Sequence, residues 1–318
     1  MKPILLIGIM ILTLTAGHGY AQMGSSMMRG MRQMMQWMGG REVEVNLSGS
    51  RLPENARTVT AGRRIYEKRC AVCHGEKGDG RGKRADDLQT KPRDFTSGTY
   101  KFRSTPTGSL PIDDDIYITI SRGLRGTAML PWFGLSKEEK WMVTYYIKTF
   151  TERFAEEDPD SPITIPIITI PDTELVERGR QVYEQVKCFE CHGRQGRGDG
   201  PNAGELKDDW GHQIKPRDFT YESFKRSASV NDIFLTVSTG LDGTPMASYG
   251  DSIPAKDILS LAVYVKTLAG ELSRRRGGMM GMMSMTQDEH AGMMIDHPGM
   301  PSGMMQDGMM GPGMMRSN

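Results

Sequence analysis

The sequence predicts an all-α chain of two tandem helical domains, with flexible methionine-rich segments at both ends. Three observations predict it. The stretch Cys70-Ala71-Val72-Cys73-His74-Gly75 returns as Cys188-Phe189-Glu190-Cys191-His192-Gly193. Lys91-Pro92-Arg93-Asp94-Phe95-Thr96 returns letter for letter as Lys215-Pro216-Arg217-Asp218-Phe219-Thr220. The regular elements that apolar spacing and end signals mark around these motifs are helices. The offset from Cys70 to Cys188 far exceeds the roughly 20–50-residue periods of solenoids, so the repeat is a duplicated domain.

The bulk properties agree with two small domains. The chain has 318 residues, and its hydrophobic fraction of 37% is low for a large core. A buried apolar group inside each domain would supply the missing interior. The formal net charge of +1 gives no argument for nucleic acid or for a strongly charged partner.

Cys-x-x-Cys-His is the attachment pattern of c-type haem. The two thiols add across the porphyrin vinyl groups, and the histidine reaches the iron as proximal ligand. Two intervening residues let one helical turn present both sulfurs to one porphyrin edge. Cys70, Cys73, Cys188 and Cys191 are the only cysteines. A thioredoxin-like pair would not need a histidine directly after each motif. A zinc site would use both pairs, usually much closer in sequence. A disulfide framework is expected in far shorter chains. Two covalently bound haems are therefore expected, with His74 and His192 on the irons.

Residues 1–21 read as a signal peptide: Lys2, an apolar run from Ile4 to Leu14, and cleavage after Ala21. An uncleaved N-terminal anchor is the rival reading. Either places the folded part outside the cytoplasm, in the periplasm, the side on which this kind of haem attachment is made. Residues 22–57 form a methionine-rich leader. Met27, Met28, Met31, Met34, Met35 and Met38 fall at helical spacing and form one stripe that would meet a partner or a membrane.

The first domain spans 58–152. A helix should run from near Ala61 into the cysteine motif, with Gly62 and Tyr66 on one face. The glycine-rich loop from Gly75 to Gly82 is expected to wrap the porphyrin. A second helix is expected from Ile112 to Ser121. Ser136 and Glu139 form a capping box that starts the last helix, which carries Trp141 to Ile147. Residues 153–172 are a Pro/Ile linker expected to be extended, lying between the domains or along one of them. The second domain, 173–270, repeats Gly62/Tyr66 as Gly179/Tyr183, Tyr146 as Tyr264, and Gly126-Thr127-Ala128-Met129 as Gly243-Thr244-Pro245-Met246. Residues 271–318 are a Met/Gly-rich low-complexity tail.

Methionine usage points to the second axial ligands. Of 26 methionines, only Met129, Met142 and Met246 lie between residues 41 and 278. Met142 sits inside a helix and reads as core. Met129 and Met246 occupy equivalent loop positions and read as the distal ligands of haems one and two. His212 competes on haem two and otherwise reads as a surface residue. Trp132 and Tyr249 each stand three residues after the methionine. Each reads either as a donor to a haem propionate or as a packing residue. Arg93 and Arg217 read as propionate contacts, the other reading being ion pairs with Asp94 and Asp218.

Each unit resembles class I cytochrome c. Gly62/Tyr66, Cys70-x-x-Cys73-His74-Gly75, Met129 and Tyr146 carry the resemblance, as do their second-domain partners. It implies a small all-α fold per unit, a first helix crossing the last at a Gly/aromatic contact, and electron carriage. The whole resembles dihaem cytochromes of bacterial respiratory chains, whose partners are oxidases, reductases or dehydrogenases. The alternatives are a dihaem peroxidase, which needs an open iron site, and a copper-handling protein. Soft thioethers select Cu(I), so the tail is the candidate copper site; a flexible contact surface is the other reading.

Overall fold

The computed structural model describes residues 28, 30–49, 51–167, 172–220 and 224–269. The expected signal peptide and the tail with its candidate copper site lie outside them. Among the described residues every regular element is helical, apart from one isolated antiparallel bridge, Lys207 to Gln213.

The leader contains α1, residues 30–38. Met31, Met35 and Met38 are exposed on it, while Trp37 is buried. The guanidinium of Arg125 lies over the Trp37 ring at 5.1 Å, and its Nη1 donates to the Trp37 carbonyl. The leader then continues across the first domain. Val45 and Leu52 pack on a cluster of Tyr117, Trp141 and Tyr145.

The first domain begins with α2, Ala56–Arg69. It starts ahead of the expected Ala61 because Asn55 and Thr58 form a capping box that closes its N-terminus. The one-turn α3, Ala71–His74, follows directly. Next come α4, Asp113–Arg122, with three aspartates in its first turn, and α5, Lys137–Lys148. The expected capping box is present: Glu139 N–H donates to Ser136 Oγ at 3.1 Å, and Ser136 N–H donates to Glu139 Oε2 at 2.8 Å. α6, Arg153–Glu156, is a single turn at the start of the linker, and residues 157–167 after it carry no regular element. The linker lies between the repeats. Ile163 N–H donates to Ser104 in the first domain, while Ile163 and Ile165 pack on the core of the second.

The second domain repeats the plan with α7, Asp172–Gln185, α8, Phe189–His192, α9, Val230–Thr239, and α10, residues 255–269. Each core gathers around a crossing of the first and last helices. Tyr66 meets Tyr146 edge-on at 5.3 Å, and Tyr183 meets Tyr264 at 5.5 Å. The junction between the repeats is polar. Buried Arg103 donates to Asp242 at 2.8 Å and to the Thr239 carbonyl at 2.9 Å. Its counterpart Arg226 faces Asp115 at 3.3 Å and donates to the Arg103 carbonyl. Arg122 pairs with Asp232 at 3.0 Å. Glu42 of the leader accepts from Ser227 and Ala228, tying it to the second domain.

Candidate haem-binding site

The cysteines sit on the turns α3 and α8, reached directly from the first helix of each domain. No disulfide joins any of the four. Burial pushes the Cys70 and Cys188 thiols up to about 12, the reverse of a redox-active pair, whose thiolate is stabilised. Among the described residues no three His, Cys, Asp or Glu side chains are grouped to hold a metal ion, which removes the zinc reading.

Each histidine is held from two sides. His74 Nδ1 lies 3.2 Å from the Arg93 carbonyl oxygen, and His192 Nδ1 lies 3.3 Å from that of Arg217. The imidazole of His74 stacks on Phe95 at 4.7 Å, and that of His192 on Phe219 at 4.5 Å. Burial lowers both histidine pKa values, so the rings are neutral. With Nδ1 donating to a carbonyl, Nε2 keeps its lone pair for a metal. Sequence pattern alone gave Phe95 and Phe219 no role, although the letter-for-letter repeat of their hexapeptide signals one.

The glycine-rich loop wraps the cysteine turn. Gly80 N–H donates to the His74 carbonyl and Gly82 N–H to the Cys73 carbonyl, and Gly198 and Gly200 do the same in the second domain. A Cβ built on Gly82 would lie 2.5 Å from the Ala71 carbonyl oxygen, so backbone approaches backbone there. Tyr66 and Tyr183 hydroxyls donate to the carbonyls of Gly75 and Gly193 at 2.9 and 2.7 Å.

The Gly-Thr-x-Met loops are pinned by their threonines. Thr127 Oγ1 donates to the Leu124 carbonyl and accepts from Met129 N–H; Thr244 does the same between Leu241 and Met246. Met129, Met246, His74, His192 and the four cysteines all line one cavity of about 1410 Å³. That exceeds the roughly 300–1,000 Å³ of a single cofactor site. Trp132 and Tyr249 line it as well. Met142 does not: it is half-buried outside the core clusters, and its carbonyl rather than its side chain serves the helix crossing. His212 sits on the rim, its side chain 47% exposed and its Nδ1 3.3 Å from Asp208.

Arg93 and Arg217 line the cavity too, but their side chains cross between domains. The guanidinium of Arg93 stacks over Trp210 of the second domain at 4.6 Å. Arg217 Nη2 donates to the Arg125 carbonyl of the first domain at 3.1 Å. Asp94 accepts from Thr96 N–H and Oγ1 and forms no ion pair with Arg93 among the described residues. Asp218 likewise accepts from Thr220. Arg93 Nη1 is buried without an acceptor. Neutral histidines with free Nε2, paired thiols, a largely apolar cavity and a buried cation seeking an anion fit haem with its carboxylates.

A family model described as cytochrome c oxidase, cbb3-type, subunit III matches residues 57–147 and again 174–265. The chain belongs to that family. Its two matched regions are cytochrome c domains, which implies covalently bound haem c and haem-based electron transfer. Among solved structures, this cytochrome is similar to a chain of the Kuenenia stuttgartiensis reducing HAO-like protein complex Kustc0457/Kustc0458. The identity is 42% and the TM-score 0.63, over 65% of this chain and 95% of that one. No curated protein matches. No helix among the described residues of this cytochrome is long and apolar enough to cross a membrane.

Proposed function

We propose that this chain is a periplasmic dihaem electron carrier, working as a shuttle or as a subunit of a larger oxidoreductase. The observation that carries the reading is the shared cavity. It presents, twice over, a cysteine pair, a carbonyl-held histidine and a threonine-pinned methionine. Cys70 and Cys73, with Cys188 and Cys191, hold two haems. His74 with Met129, and His192 with Met246, fill the axial positions. A haem bound in this way supplies a one-electron Fe(III)/Fe(II) couple, at a potential raised by the thioether. The chain's own residues fix the imidazole tautomer and screen the site from water. With both positions filled, no site stays open for a small substrate, which separates this reading from a peroxidase. Trp132, Tyr249, Arg93 and Arg217 provide donors for haem propionates. The likeness to a chain of a redox complex supports redox proteins as partners. The exposed methionines of α1 sit where Met31 and Met34 reach the cavity, and they offer the partner or a membrane surface an apolar face.

Haem content of the exported protein tests the first part, with two covalent haems per chain expected. Reduced-minus-oxidised spectra with carbon monoxide or cyanide test the second. Prompt binding at one haem would refute a pure carrier. Met129→Ala and Met246→Ala should each abolish one Fe–S absorption band; retention of both would refute the axial assignment.

A further inference from the structure

The arginine whose carbonyl holds His74 belongs to the first domain, but its charge does not stay there. A Cβ built on Gly243, which opens the loop carrying Met246, would lie 3.3 Å from Arg93 Nη1. The guanidinium is flattened against Trp210, also of the second domain. Its Nη1 is buried without an acceptor. Lys101 lines the same cavity and makes no hydrogen bond or ion pair among the described residues. Burial pushes Arg93 down to about 10 and Lys101 down to about 8, the latter helped by the positive charges of Arg93 and Lys225. Asp208 and Asp209 offset this only in part. The crossing is reciprocal: a Cβ on Gly126, which opens the Met129 loop, would lie 3.0 Å from Arg217 Nη2.

We propose that Arg93 and Lys101 of the first domain form a binding site for the carboxylates of the second domain's haem, so that the first domain sets the potential of the second centre. This rests on the dihaem reading above. Two cations line the shared cavity, one of them with a buried Nη1 that lacks an acceptor beside the Met246 loop, and the carboxylates of the haem in that site are the anions the chemistry provides. A positive charge held there favours the reduced centre, which carries one positive charge fewer at the iron.

The test is a redox titration of the two-haem protein, read by NMR. Each haem is assigned through its contacts to the aromatic partner of its proximal histidine, Phe95 or Phe219. Haem content is measured first; fewer than two haems per chain would count against the dihaem reading itself. With both haems present, Arg93→Gln is expected to lower the potential of the second centre, changing its reduced-to-oxidised ratio about tenfold, or about 59 mV for one electron. Lys101→Gln, which leaves the stacked arginine in place, is expected to move the same centre in the same direction. A shift confined to the first centre, or no shift in either variant, overturns the proposal.

Discussion

Gly62 meets the carbonyl oxygen of Met142 where α2 crosses α5. A Cβ built on Gly62 would lie 1.9 Å from that oxygen, and one on Gly179 would lie 2.0 Å from the Ser260 carbonyl oxygen. No side chain fits at either distance, so an alanine must push the helices apart. Gly62→Ala and Gly179→Ala should each cost about 1–3 kcal/mol, the range of overpacked cores. Unfolding midpoints in denaturant measure it, and an unchanged midpoint would contradict so close a crossing.

The junction between domains offers a second measurement. Arg103 is 1% exposed and pairs with Asp242 of the other repeat at 2.8 Å. Asp242 also accepts from Thr107 Oγ1 at 2.8 Å and from Gly108 N–H at 2.9 Å, so removing Arg103 should cost less than the roughly 3–5 kcal/mol of a fully stranded buried charge. The loss on Arg103→Ala/Asp242→Ala should fall short of the sum of the losses on Arg103→Ala and Asp242→Ala, because the two side chains share one interaction. Thermal unfolding of both single variants and the double variant decides it; strictly additive losses would mean the pair contributes nothing across the junction.

The main helices and both cysteine turns were legible in the sequence because their signals are local. The Ser136/Glu139 box, the Gly62/Tyr66 face and the repeated cysteine turns depend on neighbours a few residues away. Features that depend on residues far apart in the chain were not legible. Pairing of Arg93 with its neighbour Asp94 was one open reading, yet Asp94 bonds Thr96 and Arg93 reaches Trp210. Tertiary placement of the second domain decides that, and spacing carries no record of it. Trp37 was hidden among methionines with the same periodicity, and only the position of Arg125 shows why it is the buried residue.

The stacked phenylalanines should act centre by centre. Phe95→Leu removes the ring that lies 4.7 Å from His74, at an interplanar angle of 17°. The loss beyond buried area is about 0.5–1.5 kcal/mol. The imidazole also gains rotational freedom about its axis. The low-spin electron paramagnetic resonance signal of the first centre should broaden while that of the second stays sharp. Phe219→Leu should do the reverse. Broadening of both signals by either variant would show that the rings stabilise the whole fold rather than one histidine.

Acid stability should depend on the pair that joins α7 to α10. Arg178 donates to Asp257 through Nε at 2.9 Å and Nη2 at 2.7 Å, and these bonds hold the Asp257 carboxyl below the usual carboxylate range. A carboxyl depressed in the folded state stabilises it above the unfolded value, near 3.9, and loses that contribution as pH falls through the folded value. Asp257→Asn abolishes the contribution at every pH. The difference in urea midpoint between wild type and variant should therefore be largest near neutrality and shrink toward zero as pH falls below the unfolded value. The difference should be modest, because Arg178 is partly solvated. A difference that grows on acidification would mean the carboxyl is raised by burial rather than lowered by its arginine.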